Sequence, residues 1–570
     1  MTALVALLVV AQVGLAIRLN IWSADLFDAL ERRSTDRAMT QIGIFALIVL
    51  GTMMANTAHL VLKRRLQLDW RRWLTVRVIG DWMEDARHYQ AAMIPGDHGN
   101  PDGRIAEDIR IATEAAIDLA STLFYCMLLL VTFVGILWSL SGVISLFGFS
   151  MPGHLVALAF LYAGVGAVVA FILGLPLVRA TDTRQTREAD FRYRLVRAGE
   201  MGEPIALARG EASERTRLGA AFEAIAPAWR LQSAGLARLL AFSSGYITLA
   251  AVFPILVGTP RFLVGGLSLG GLMQSAQAFQ QVTAALSWPV DNLPRIAEWR
   301  ASVERVLSLE EAVRVVALEA ARTGDTALNL NRAADVKLGV QDLSVAAPDG
   351  TTMLSGLTLE LSQGERVLVD GDLDAAAALF RVLAGLWPWG RGQVNLPPDA
   401  EMIAVGRSPF LPAGSLRTVL AFPAEATPDA DGAMAEALRQ VGLDWLVVRL
   451  DEVADWGSAL SGGELQRLSF ARLVLRRPHW ILMGDATDAL DPDSADAMLH
   501  LVADTLPEAG LIVIGRHPGS PDIFTRRLAL ERSAGGEVLL LEVFARRRAA
   551  EQPRQRPLRV VDWLRQGYGR

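Results

Sequence analysis

Leu460-Ser461-Gly462-Gly463-Glu464-Leu465-Gln466-Arg467-Leu468 is followed by Trp480-Ile481-Leu482-Met483 and then by Ala486-Thr487-Asp488-Ala489-Leu490-Asp491, and the fold turns on this stretch. Two adjacent glycines let a backbone approach a phosphate closely, and the helix that starts beside them turns free N–H groups toward an anion. The helical pattern runs on to Arg477, and the apolar run after it has the length of a buried strand. Five such residues alone arise by chance. The ordered succession of glycine pair, helix, apolar strand and acidic turn does not.

Working outward, short β-rich runs alternate with amphipathic helical ones from about Ala334, which predicts an α/β domain. The whole chain has 570 residues, too many for one core, so two or more domains are expected. Hydrophobic residues make up 52%, and the excess is concentrated in the first 290 residues. A net charge of −6 does not suggest a nucleic-acid partner. Cys126 is the only cysteine, so an internal disulfide is excluded. Lys63 and Lys337 are the only lysines, and arginine carries the remaining positive charge.

The first part reads as membrane-spanning. Six apolar stretches approach the roughly 20 residues a helix needs to cross a bilayer: Met1–Ile17, Ile42–Leu62, Leu119–Trp138, Leu155–Leu177, Leu239–Val257 and Phe262–Leu286. The first lacks a basic leader and a small-residue cleavage site, so it reads as a retained span rather than a signal peptide. Basic residues follow span two (Lys63, Arg64, Arg65, Arg71, Arg72, Arg77) and span four (Arg179, Arg184, Arg187, Arg192, Arg194, Arg197), whereas Ser139–His154 has none. By the positive-inside tendency these basic segments and the C-terminal domain are cytoplasmic; Arg32, Arg33 and Arg37 fit that rule poorly. Gln274, Gln277 and Gln281 fall on one face of span six. That face either lines a substrate path or hydrogen-bonds to neighbouring helices.

The Leu460–Leu468 and Ala486–Asp491 motifs resemble the signature helix and D-loop of ABC-transporter ATPases. The likeness extends to Ala384-Gly385-Leu386-Trp387-Pro388-Trp389-Gly390, Pro409-Phe410-Leu411-Pro412 and Leu416-Arg417. In the membrane half it includes Asp69-Trp70-Arg71-Arg72-Trp73-Leu74-Thr75, Asn100 to Asp108 and Glu188-Ala189-Asp190-Phe191-Arg192. Together they resemble the SbmA/BacA-like and subfamily D half-transporters. The resemblance implies six transmembrane helices in a type IV ABC exporter-like arrangement plus a cytoplasmic α/β ABC ATPase-like domain. The expected domains are a transmembrane part at 1–315, a linker at 316–333, a nucleotide-binding-like domain at 334–545 and a basic tail at 546–570. The tail carries Arg546, Arg547, Arg548, Arg554, Arg556, Arg559, Arg565 and Arg570, as a solvated extension or a contact with anionic lipid.

The family uses ATP and Mg²⁺, held by a Gly-rich loop that ends Gly-Lys-Ser/Thr. At its place this chain reads Asp370-Gly371-Asp372-Leu373-Asp374-Ala375-Ala376-Ala377, with Ala376 where lysine belongs and Ala377 where the Mg²⁺ hydroxyl belongs. Asp370, Asp372 and Asp374 would face a triphosphate, and like charges about 4 Å apart repel by roughly 4 kcal/mol at an effective dielectric near 20. At the Walker B pair stand Gly484 and Asp485; Asp485 could serve as one of two carboxylates, not both. Arg407 occupies the Q-loop position and Arg516 the switch position, with His517 one residue late. The signature, Leu460, Ser461, Gly462, Gly463 and Glu464, is intact, as is the D-loop Asp491.

In the family each ATP lies between the Walker motifs of one subunit and the signature of the other. A degenerate Walker side beside an intact signature therefore points to a second half-transporter as partner: a heterodimer is favoured, with a homodimer open. The expected function is translocation of a peptide, cobalamin-like or acyl-conjugate solute across the bacterial inner membrane. The alternatives are a homodimeric permease driven by an ion gradient and a non-transporting regulatory subunit. Gradient coupling would call for ionisable residues within the spans, and Glu188, Asp190, Glu200 and Glu203 lie beyond span four.

Overall fold

The chain is described by a computed structural model covering residues 1–146, 149–332, 337–398, 402–427, 430–515, 521–532 and 538–543. The apolar runs become long helices: α1 (Thr2–Glu31), α2 (Thr35–Met83), α3 (Ile109–Ser141), α4 (His154–Glu200), α5 (Ile225–Leu263) and α6 (Leu269–Ala320). Among the described residues, five helical segments are long and apolar enough to cross a membrane: Thr2–Glu31, Thr35–Ala91, Pro101–Ser141, His154–Glu200 and Glu211–Leu263. Each helix outruns its apolar run, and α5 and α6 do so through prolines, Pro260 in the first and Pro289 and Pro294 in the second.

The sixth expected span differs. Phe262 and Leu263 close α5, and α6 starts only at Leu269, after Gly265 at a φ of +77°. Gln274, Gln277, Gln280 and Gln281 dilute the apolar character of its first turns. Of the expected linker at 316–333, regular elements take up both sides of a connecting segment at 321–327. The α6 helix continues to Ala320, with Val316 fully buried, and a strand starts at Leu328.

The chain divides into two compact units: Met1–Gly80 with Asn100–Leu309, and Asp81–Gly99 with Glu310–Arg570. In the first, Val13, Leu129, Phe133, Leu137, Ala278, Phe279 and Val282 form the buried core. Small residues allow close helix approach; a Cβ on Gly166 would run into the Tyr246 ring. Threonines along the apolar helices return their hydroxyls to carbonyls one turn back, as Thr132 does to Leu128 at 2.8 Å, which removes the cost of a bare hydroxyl in lipid.

Among the described residues, the second unit contains two larger sheets besides a two-stranded pairing of Gly414–Ser415 with Val453–Ala454. Strands β1 (Leu328–Arg332), β2 (Leu338–Ala346), β3 (Thr352–Leu361) and β5 (Gly390–Leu396) form the smaller, in the order β1-β5-β2-β3. The larger is built from β4 (Arg366–Gly371), β6 (Met402–Val405), β7 (Trp480–Gly484), β8 (Gly510–Ile514), β9 (Arg526–Arg532) and β10 (Val538–Val543), in the order β10-β9-β4-β8-β7-β6. All neighbours are parallel except β9 with β10. Strands covered on both faces need continuous apolar runs, which is why Ile481-Leu482-Met483 and Leu511-Ile512-Val513-Ile514 show no alternation. Helices α7 (Leu373–Leu383), α8 (Gly462–Arg476) and α9 (Pro492–Thr505) accompany this sheet.

The energetic centre of this unit is the buried middle of β7. Leu482→Ala should cost about 2–5 kcal/mol through lost burial and a residual cavity. Hydrogen exchange of the β7 and β8 amides in the full chain should speed up correspondingly, whereas Val448→Ala, at an 89% exposed position, should leave it unchanged.

Candidate functional site

In open parallel sheets, ligands bind beyond the carboxyl ends of the strands. Here the end of β4 does not open into a loop. Its pairing with β9 continues through Asp370 opposite Ala529 to Gly371 opposite Leu530. The Asp372 amide then donates to the Leu530 carbonyl at 2.8 Å, and α7 starts at Leu373. One residue, Asp372, joins strand to helix, and the curl of successive N–H groups that cradles a phosphate has no chain to form it. Gly371 has a φ of +114°, and a Cβ there would strike the Leu530 backbone. The glycine answers the approach of β9.

The positive pole of α7 already has an internal anion. Asp372 Oδ1 accepts from the Ala375 amide at 3.0 Å, and Arg532 grips both carboxylate oxygens, Nε to Oδ2 at 2.8 Å and a terminal nitrogen to Oδ1 at 3.0 Å. Arg532, and then the Ala375 amide, hold the Asp372 carboxyl below the usual carboxylate range. Asp370 Oδ2 accepts from Arg527 at 2.9 and 2.5 Å. The count of three repelling carboxylates is therefore corrected: two are ion-paired to arginines about 160 residues further on, and among the described residues Asp374 projects from the first turn without such a pair.

Beside this junction lies a cavity of about 620 Å³, whose lining includes Tyr89, Ala376, Ala377, Phe380, Arg407 and Asp485. Ala376 is buried and Ala377 half-buried, and both are methyls. Phe380 projects from α7 toward β7: a Cβ on Gly484 would come within 2.8 Å of its ring, so an aromatic fills the space a carboxylate after β7 would need. Asp485 follows in the left-handed region at φ +51°, and its Oδ1 lies over Gly515. Burial raises the Asp485 carboxyl above its ordinary value, Asp488 adds to the rise, and Arg407 opposes it. Arg407 itself is ion-paired with Asp488. Arg516 and His517 lie outside the described residues, as does the arginine-rich tail.

The signature side is built differently. Ser461 caps α8, accepting from the Glu464 amide at 3.4 Å, while the Glu464 carboxylate accepts from the Ser461 amide at 2.9 Å and hydroxyl at 2.7 Å. The Ser461 amide and hydroxyl hold the Glu464 carboxyl low. Leu460 is buried beneath, while Ser461 and Gly462 are exposed. Gly463 needs its missing side chain because a Cβ would lie 3.2 Å from the Ala489 carbonyl. Asp491 caps α9, accepting from the Ser494 amide at 3.0 Å. Buried Gln466 ties these pieces together: it accepts from the Ala489 amide at 2.9 Å and donates to the Arg407 carbonyl at 3.1 Å.

In the helical unit, Gln277 donates to Ser23 Oγ of α1 at 2.9 Å, and Asn20 of α1 donates to the Gln274 carbonyl at 3.1 Å. These bonds join α6 to α1, and Gln281 is half-buried on the same helix. The residues missed from sequence are Arg527, Arg532 and Phe380. No local pattern marks them, because their partners are brought close only by the β4–β9 pairing and by the packing of α7 on β7.

Residues 1–244 match the family described as ABC transporter transmembrane region 2. The chain is 30% identical over 527 residues to the inner membrane ABC transporter ATP-binding protein YddA of Escherichia coli, covering 90% of each chain. It is 26% identical over 461 residues to the human lysosomal cobalamin transporter ABCD4, covering 75% of this chain and 74% of that one. A bacterial Atm1-family ABC exporter with ATP bound shares the fold at a TM-score of 0.69, with 17% identity and 94% of both chains covered.

The Asp372–Arg532 pair makes a pH-dependent contribution. With the folded carboxyl depressed, its stabilisation is complete above the unfolded value of about 3.9 and is lost as pH falls through the folded value. Because Arg532 lies at the surface, where solvent screens the pair, Arg532→Ala should lower stability only modestly at pH 7. The gap to the native chain should shrink below about pH 4, as read by denaturant unfolding across pH.

Proposed function

This chain belongs to the ABC transporter family, and we propose that it is a half-transporter subunit whose own Walker face is closed and whose signature face serves an ATP-competent partner. The observation that carries this reading is the β4–α7 junction: one residue long, with the Asp372 carboxylate and Arg532 placed at the helix pole where a phosphate would bind. MgATP does not fit this face. Lysine and hydroxyl positions carry Ala376 and Ala377, the Phe380 ring fills the space beside Gly484, and Arg407 is engaged by Asp488.

The opposite face fits a phosphate held by another subunit. Ser461 and Gly462 are exposed at the start of a fifteen-residue helix whose dipole favours an anion, and Gln466 fixes the neighbouring turn from below. In this reading the partner's Walker residues hold MgATP, and Ser461 with the first amides of α8 close the site. A heterodimer follows, since two copies of this chain would pair two closed Walker faces. In this reading the α/β unit lies on the cytoplasmic side of a bacterial inner membrane, which the basic segments after spans two and four support. The solute belongs to the peptide, cobalamin-like or acyl-conjugate classes; the cobalamin transporter among the relatives supports the second.

The test is ATP turnover by the full chain alone and with a half-transporter that carries an intact Gly-Lys-Ser loop. The pure chain should be inactive and the mixture active. Ser461→Arg in this chain should lower turnover of the mixture by about 100-fold, the scale of a lost transition-state contact. Robust Mg²⁺-dependent turnover by the pure chain would overturn the reading. Solute uptake by vesicles holding this chain alone would favour the gradient-driven permease instead.

A further inference from the structure

The cavity beside the β4–α7 junction combines a hydrocarbon wall with one unmatched charge. Leu373, Ala377, Phe380, Leu386 and Ile514 supply the apolar side, and Phe380 stacks on no other aromatic ring among the described residues. The cationic side chains on the lining are already engaged. Arg407 is ion-paired with Asp488, and the Arg381 guanidinium lies over the Trp387 ring at 5.2 Å. Two polar side chains of the lining remain: the Asp485 carboxylate and the Tyr89 hydroxyl make no hydrogen bond or ion pair among the described residues.

Asp485 is held in place by its backbone. It sits at a φ of +51°, its amide donates to the Ile514 carbonyl at 3.3 Å, and its carbonyl accepts from the Asp488 amide at 3.4 Å. A Cβ on Gly515 would strike Asp485 Oδ1, so the bare glycine leaves the carboxylate its place on the cavity wall. A half-buried carboxylate beside apolar surface is costly unless a counter-group meets it. Among its neighbours Asp488 worsens that cost, and Arg407, committed to Asp488, relieves only part of it. A phosphate or carboxylate ligand would face Asp485 with no free cation on the lining to offset it. A metal ion would find a single free carboxylate, since Asp488 is taken. A flat apolar body with a positive, N–H-bearing end matches both sides of the cavity.

We propose that this cavity binds a small flat organic cation of the amidine or guanidine class, its body against Phe380 and Ala377 and its N–H fork on the Asp485 carboxylate. A forked pair of N–H groups meets both oxygens of one carboxylate, which adds geometric selectivity to charge. A cavity of about 620 Å³ accommodates a ligand of this size. Tyr89 presents its hydroxyl to the same space. The inference rests on the Walker face being closed to MgATP, as proposed above, and needs no partner subunit.

The test is equilibrium dialysis of p-aminobenzamidine, and of its neutral isostere p-aminobenzamide, against the full chain in lipid nanodiscs, with empty nanodiscs subtracted. The native chain should bind the cation saturably and about tenfold more tightly than the amide. Asp485→Asn keeps the shape and suits the left-handed backbone; it should weaken the cation by about tenfold or more and the amide by less than about threefold. Ala377→Leu, which fills the cavity, should weaken both compounds and so separates pocket from charge. Absence of saturable cation binding by the native chain would overturn the proposal and leave the closed Walker face standing. An Asp485→Asn chain that binds the cation unchanged, or loses cation and amide equally, would overturn it too. Displacement of the bound cation by MgATP would instead reject the closed Walker face while retaining the cation contact at Asp485.

Discussion

The bond between the Asp372 amide and the Leu530 carbonyl, extending the β4–β9 pairing by one step, is the constraint on which the β4–α7 junction depends. A phosphate cradle needs slack between strand and helix. Here the strand stays paired to its last residue, so the helix must start at once, and its orphan N–H groups are satisfied by the residue in between. Arg532 then balances the charge that makes Asp372 a good cap, and Arg527 does the same for Asp370. Each feature requires the next, and β9 supplies the carbonyl and both guanidinium groups.

Similar logic operates at β7. The Phe380 ring and the missing side chain of Gly484 fit each other, so restoring a carboxylate at 484 would require the ring to move. Arg407 and Asp488 neutralise one another across the cavity, leaving Asp485 as the carboxyl whose protonation burial favours. In the proposed reading, the Walker face is thus internally satisfied rather than merely lacking single groups. The signature face uses its polar atoms differently: Ser461 and Glu464 cap one another at the helix start, and the glycines keep the surface bare.

Much of the fold was legible in the sequence because its determinants are local. Twenty-residue apolar runs give spans, unbroken apolar strands give a parallel sheet, and Ser461 with Glu464 announces a helix start through a capping box. The sixth span was placed too early because hydropathy alone does not locate the break at Gly265. The linker expected at 316–333 contains the connecting segment at 321–327, but a polar helix end such as that of α6 resembles a loop in composition, so the bounds are not legible. The junction behind the proposed closure of the Walker face is half legible in the sequence. The absent lysine is a local fact, whereas the pairing of Asp370 and Asp372 with Arg527 and Arg532 is a consequence of strand order. Counted as free charges, those aspartates suggested repulsion of ATP; in the fold they are structural anions.

Equilibrium binding of radiolabelled MgATP to the purified full chain tests the central claim most directly, because it examines the Walker face without a partner or a solute. The account predicts no saturable binding up to about millimolar nucleotide, the range above which affinity falls below about 4 kcal/mol. Saturable binding in the micromolar range, abolished when Mg²⁺ is chelated, would contradict it.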